Sequence, residues 1–206
     1  MTLARRLANQ LAHPRGRPGR LLGAAMEVVN RRPMRLAVDL LGPLCGEEVL
    51  DAGCGTGAAI AEIRRRADCQ VTGVDRSATM LDVARRSVVR DASWLLADLN
   101  AVPLPDCSFD AVLALNLLYF DGPEGLIVRE MHRLLRPGGR LVAYVTHRES
   151  MQDWNFAREG LHRLYDAKAL REALVDGGFG DTRVKLQEKA LTRTVRGILA
   201  LAVRHE

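Results

Sequence analysis

Asp51 stands two residues ahead of Gly53 in "VLDAGCGTGAAI", residues 49–60, and Gly55 and Gly57 follow it. A carboxylate and three glycines at the end of an apolar run suit a turn that a ligand must approach closely, because glycine has no Cβ to block it. Asp75 closes a second apolar run, "QVTGVD", 18 residues beyond Gly57, where an acid would meet a ribose. Asp98 closes a third, "SWLLAD", where a carboxylate can accept from an adenine amino group. "GCGTGA" also fits GxGxxA, a dinucleotide fingerprint, so the glycines and Asp75 specify a nucleoside without choosing it. Asp51 chooses. Its charge would repel a pyrophosphate but suits a ligand carrying an ammonium group. Adenine, ribose and a cationic amino-acid tail together describe S-adenosylmethionine (SAM).

These acids must sit at strand ends, and the chain supplies the strands. Apolar runs at 48–53, 70–75, 93–98, 109–116 and 140–146 alternate with helical patterns at about 58–67, 78–89 and between strand four and Arg136. Ser77 is placed to cap the second of these helices, and "PGG" to stop the third. Continuous apolar strands separated by helices predict a parallel sheet covered on both faces, a doubly wound α/β domain. In such a sheet ligands bind at the carboxyl ends of the strands, beside the first. A helix from Ala167 to Asp176, capped by Asp166, precedes two strands in "DTRVKLQEKA" and "TVRGILALAV". With no helix between them, these two must pair antiparallel.

The N-terminal 42 residues read differently, as a basic helical arm or cap ahead of a domain at 43–206. Residues 1–35 carry eight arginines and one acid, a net +7, which leaves −2 for the rest of the chain. Leu3, Leu7 and Leu11 recur at helical spacing. "HPRGRPGR" interrupts that helix, and Pro33 is expected to divide 21–31 from 34–41. An arginine-rich arm with a leucine stripe suits an anionic membrane surface. Length and a 48% hydrophobic composition fit one globular unit. With no apolar run long enough to span a bilayer and no secretory leader, the expected location is cytoplasmic, with peripheral membrane contact through the arm. Cys45, Cys54, Cys69 and Cys107 lack metal-ligand spacing and are expected as reduced thiols, with no metal.

"VLDAGCGTG", "VTGVDRSATML", "LLADLNAVPLPDCSFDAVLALNLLYF" and "EMHRLLRPGGRLVAYV" resemble, in order and spacing, the successive motifs of class I SAM-dependent methyltransferases. The nearest group is the small-molecule enzymes similar to those of ubiquinone and menaquinone biosynthesis. The resemblance covers about residues 45–146. It implies a seven-stranded, mostly parallel sheet with one antiparallel strand, and methyl transfer from SAM to a small molecule. By position it implies that Asp51, Ala52, Gly53, Cys54 and Gly55 line the methionine end. Asp75 would take the ribose, flanked by Arg76 and Met80, while Ala97, Asp98 and Leu99 would hold adenine and Asn116 would lie near the methyl.

Methyl transfer needs a positioned acceptor more than a particular side chain, so the acceptor site is weakly specified. Tyr119 and His147 are the residues expected to position or deprotonate it, with Trp154, Phe156 and Tyr165 as walls; His132 is expected at the surface. The alternatives are a nucleic-acid methyltransferase, a non-catalytic SAM-binding protein and an NAD-dependent oxidoreductase. "NLLY" after strand four, in place of NPPY or DPPY, weighs against nucleic acid.

Overall fold

Seven short strands join into one sheet in the order β3-β2-β1-β4-β5-β7-β6. In this computed structural model, which describes residues 2–12, 14–86, 91–160 and 162–205, they are β1 (Glu48–Ala52), β2 (Gln70–Asp75), β3 (Ser93–Leu96), β4 (Phe109–Leu115), β5 (Leu135–Thr146), β6 (Val184–Ala190) and β7 (Arg196–Val203). β1 through β5 pair parallel, and β7 runs antiparallel to both β5 and β6. The chain winds outward from β1 to β3, then crosses back to β4. The carboxyl ends of β1 and β4 therefore face a crevice at the point where the winding reverses.

Strand alternation divides the sheet between two cores. Val49, Val71, Leu113, Val142 and Tyr144 pack on one face, against α2 (Gly16–Leu41), α3 (Ala58–Arg66) and α4 (Ala78–Ala84). Leu50, Ala52, Val112, Leu141, Ala143 and Val145 pack on the other, against α5 (Leu126–Leu134) and α7 (Ala167–Asp176). Helix α1 (Leu3–Ala12) precedes this core, and the one-turn α6 (Arg148–Met151) follows β5.

The N-terminal segment departs from the expectation. Pro33 does not divide two helices: α2 runs unbroken through it for 26 residues. Pro18 sits in its first turn, where the N–H groups lack intrahelical partners anyway. An interior proline costs about 3 kcal/mol, but Pro33, Ala37, Val38 and Leu41 are buried, and each large apolar side chain so buried returns roughly 1.5–3 kcal/mol. Gly42, at φ +54°, closes the helix in the left-handed conformation. Arg140 then anchors that end: its guanidinium donates to the carbonyls of Leu41 and Gly42 and pairs with both oxygens of Glu47. The second half of α2 is thus part of the core.

Elsewhere the differences are local. α4 ends at Ala84, and the rest of its expected length reaches residues 87–90, outside the described residues. The helix expected after β4 is a short 3-10 turn, Leu118–Phe120, then α5, because "FDGPEG" interrupts them. Asp121 Oδ1 accepts from the Ile127 N–H to begin α5. "PGG" lies inside β5, where the register shifts between Phe109–Leu135 and Ala111–Arg140. Asp166 caps α7 by accepting from the Ala169 N–H at 2.8 Å.

Candidate functional site

β1 ends by turning Asp51 toward the crevice while Ala52, its neighbour, points into the opposite core. The turn that follows hangs on β2, as the N–H groups of Gly53 and Cys54 both donate to the Val74 carbonyl, at 2.8 and 3.1 Å. Gly53, Gly55 and Gly57 all have positive φ. Their surroundings differ. A Cβ on Gly57 would lie 2.7 Å from the Trp94 ring, whereas one on Gly55 would meet nothing within 4 Å. Gly57 thus serves packing, and Gly55 leaves room over the backbone.

Asp75, at the end of β2, fastens this turn. One oxygen accepts from the Gly55 N–H at 2.9 Å and the other from the Ser77 N–H at 2.8 Å. Each carboxylate oxygen keeps a second lone pair for a ligand hydroxyl. Ser77 in turn accepts from the Met80 N–H to start α4. Beyond β3, Asp98 Oδ1 accepts from the backbone and side-chain N–H groups of Asn100. That loop is clamped to α5: Glu130 accepts from the Val102 N–H, and Arg133 donates to the Val102 and Leu104 carbonyls while pairing with Glu130.

These parts open on one chamber of about 470 Å³, roofed by α2. Asp51, Gly53, Cys54, Gly55, Asp75 and Arg76 line it, as do Met80, Asp98, Leu99, Asn116 and Tyr119. The fold thus brings together residues expected from both the donor and the acceptor sides. Ala52 and Ala97 are exceptions. Ala52 is turned away by strand alternation, and Ala97 packs against the α5-side core, so their side chains face that core instead of the chamber. Glu27 of α2 accepts from the Thr56 hydroxyl, and Met80 Sδ lies where a Cβ on Gly23 would meet it at 3.1 Å. The roof therefore touches the glycine turn directly.

On the acceptor side, Tyr119 joins two strand ends. Its hydroxyl donates to Asn116 Oδ1 at 3.2 Å and accepts from the Thr146 N–H. Burial pushes its pKa far above the ordinary 10, so the phenol stays protonated and serves as a strut. His147 is not in the chamber. Thr146 lines it, and alternation sends His147 elsewhere, where Nδ1 accepts from the Glu149 N–H and Nε2 lies 3.8 Å from Glu188. Trp154 and Phe156 line the chamber, while Tyr165 is core and donates to the Leu118 carbonyl. His132 is half-buried under Gly178 and edge-on to Phe179, which places it in packing and not at the surface.

His162, absent from the expected set, does line the chamber. It is 8% exposed, and its Nδ1 is buried with no hydrogen-bond partner among the described residues. The rings of Phe120, Phe156 and Tyr119 surround it at centroid distances of 5.2, 5.5 and 6.2 Å. The aromatics around position 162 were the available signal.

Asp51 is electrostatically perturbed: it is 2% exposed, with Oδ2 likewise unpartnered among the described residues. Burial, with the Asp75 charge as the lesser cause, pushes its pKa up to about 7. A cation brought beside such a buried acid would favour its ionised form. Arg76, with its guanidinium 5.3 Å from the Phe120 ring centroid, is drawn below its ordinary pKa by burial. Among the described residues, no group of three acid, histidine or cysteine side chains is arranged to hold a metal ion.

Comparison with known proteins agrees with this geometry. Residues 49–139 match the model of a methyltransferase domain. A demethylmenaquinone methyltransferase of Tropheryma whipplei is 37% identical over 141 residues, spanning 67% of this chain and 56% of that protein. A malonyl-[acyl-carrier protein] O-methyltransferase of Enterobacter lignolyticus is 38% identical over 133 residues, spanning 61% and 52%. The chain thus spans about half the length of these curated relatives. Among solved structures, a complex of the Haloferax volcanii Trm112 methyltransferase activator with a putative methyltransferase aligns with a TM-score of 0.79 at 21% identity. It covers 89% of this chain and 94% of the matched one, a likeness of fold.

Proposed function

The chain belongs to the class I SAM-dependent methyltransferases of the ubiquinone and menaquinone type, and on that premise we propose that it moves a methyl group from SAM to a small-molecule acceptor. The observation that carries this reading is the buried Asp51 carboxyl, whose Oδ2 has no partner among the described residues, beside the open space over Gly55. An orphaned acid and a backbone with no side chain above it fit the ammonium end of an adenosyl amino acid. Asp51, Gly53 and Gly55 would hold that end, Asp75 the ribose, and Asp98 and Leu99 the adenine. Cys54, Arg76 and Met80 would border the nucleoside and Asn116 the reacting carbon; Ala52 and Ala97 would contribute only backbone.

Bound there, SAM supplies an electrophilic methyl on a sulfonium. The chain's part is to align and to exclude water. The strut of Tyr119 between Asn116 and Thr146 fixes one wall of the chamber. The α2 roof, tied down by Arg140 and Glu47, shields it. Since charge is neutralised as the methyl moves, removal from water favours the reaction. Calorimetry with S-adenosylhomocysteine (SAH) and NADH tests the reading. SAH should bind stoichiometrically and NADH not at all; failure of SAH to bind would overturn it.

A peripheral contact with anionic membrane is also proposed, but through α2 in place of α1. Leu11 of the leucine stripe lines the chamber and Leu7 is only partly exposed; the Leu3 side chain lies outside the described residues. The outer face of α2, by contrast, exposes Leu21 (75%) and Val28 (76%), with Arg17, Arg20, Arg31 and Arg35 exposed on the same side of the helix. Apolar side chains flanked by arginines suit a bilayer with anionic headgroups.

A further inference from the structure

We propose that His162 is a catalytic residue that receives the proton of the acceptor, and that the acceptor is an uncharged, flat, apolar molecule whose nucleophilic atom is a hydroxyl oxygen. The inference rests on the methyltransferase reading above and goes beyond it by assigning the acceptor's chemistry. Three observations converge on it. The imidazole lines the same chamber as Asp51, Gly55 and Asn116. Its Nδ1 is buried without a partner among the described residues, so no described side chain or peptide satisfies that atom. A lone pair left in this condition is costly, and a hydroxyl brought by a ligand would relieve the cost. Lastly, its surroundings are rings: Phe120, Phe156 and Tyr119 enclose it, with Trp154 at 5.5 Å from Phe156. A flat apolar body can fill such a cage by stacking or edge contacts, whereas a cationic acceptor would meet the Arg76 guanidinium already seated 5.3 Å from the Phe120 ring centroid.

Burial draws the His162 pKa below the ordinary 6.5, leaving the imidazole neutral and able to accept at physiological pH. The balance is complete without another reactant. The acceptor's proton passes to the imidazole and then to solvent, and the oxygen's electron pair forms the new bond to the methyl carbon. The pair of the broken carbon–sulfur bond stays on sulfur, which becomes a neutral thioether. Tyr119 cannot take this part, being protonated and engaged at both ends. Neither can His147, which faces away.

The test is equilibrium binding of two probes, 2-naphthol and 2-methoxynaphthalene, to the full chain with and without SAH. They differ at one position, where a methyl group replaces the hydroxyl hydrogen that His162 would accept. The wild type should prefer 2-naphthol by about tenfold, the scale of satisfying one buried acceptor. His162→Phe should bind the two within about twofold, and His162→Asn, which returns an acceptor near the position of Nδ1, should recover part of the preference. His162→Leu replaces the phenylalanine variant should its melting curve show that it does not fold. Equal binding of the two probes by the wild type, binding of neither, or a preference that survives in His162→Phe would overturn the proposal. SAH calorimetry on the same samples separates the two readings. A chain that discriminates the naphthalenes but leaves SAH unbound fails as a methyltransferase while keeping this site, and the reverse result removes only the role of His162.

Discussion

At Asp51 a single carboxyl links ligand recognition to stability. Its ordinary pKa of 3.8 is raised to about 7 in the fold, so between those values the folded chain holds a proton that the unfolded chain has lost. The contribution of this group is fully present below the unfolded pKa and is lost as pH rises through 7. Asp51→Asn removes the titration. Its melting temperature without ligand should stay flatter than the wild type's between pH 4 and pH 7, with a gain of about 2 kcal/mol at the upper end. The same variant should bind SAH about 10- to 100-fold more weakly, since an amide cannot pair with an ammonium. Binding to the wild type at pH 6 should also release a proton, read in calorimetry as an enthalpy that changes with the buffer and ceases to change at pH 8. A buffer-independent enthalpy at both values would mean that no cation meets Asp51.

Within the element that joins β1 to α3, two glycines with the same backbone hand perform separate tasks. Gly57, at φ +81°, has the Trp94 ring 2.7 Å from the place of a Cβ. Gly57→Ala therefore meets both backbone strain and overpacking, and should destabilise by roughly 2–4 kcal/mol. Gly55, at φ +51°, has open space instead. Gly55→Ala should cost only about 1–2 kcal/mol of stability yet weaken SAH binding at least tenfold, because the new methyl stands in the chamber. Denaturant unfolding and SAH titration of the two variants give opposite rankings if this division is right. Equal effects on both measurements would refute it. The Glu130–Arg133 clamp has a similar positional function, setting the loop that carries Asp98 against α5.

For the molecule as a whole, α2 is the piece with two faces. Inward it roofs the chamber with Gly23, Met26, Glu27 and Pro33; outward it presents Leu21 and Val28 among arginines. No described helix is long and apolar enough to cross a membrane. The full chain is expected to bind vesicles of phosphatidylglycerol at low salt and to leave them at high salt, and to ignore phosphatidylcholine. Each arginine removed should cost about 1 kcal/mol, so replacing Arg17, Arg20 and Arg31 together with alanine should weaken vesicle binding about 100-fold. Leu21→Ser with Val28→Ser should weaken it further. SAH affinity should stay unchanged in both sets. Co-sedimentation reads the result, and binding unaffected by the arginine replacements would reject this face.

By itself the sequence determined the succession of strands and helices along the chain, the doubly wound sheet, the antiparallel terminal hairpin and the three acids at successive strand ends. It also marked the capping of α4 by Ser77 and of α7 by Asp166. All of these depend on short-range rules: periodicity, caps, and glycines where a turn demands them. What only the tertiary structure decided depends on long-range packing. Burial of α2 against the sheet overrode the local helix-breaking tendency of Pro33. Strand alternation, fixed by pairing with distant neighbours, turned Ala52 and His147 away from the chamber. His162 reaches the donor end of the sheet because the segment after β5 folds back over Tyr119 and Phe120. No local pattern reports that return, since spacing along a chain measures distance only where the backbone is regular.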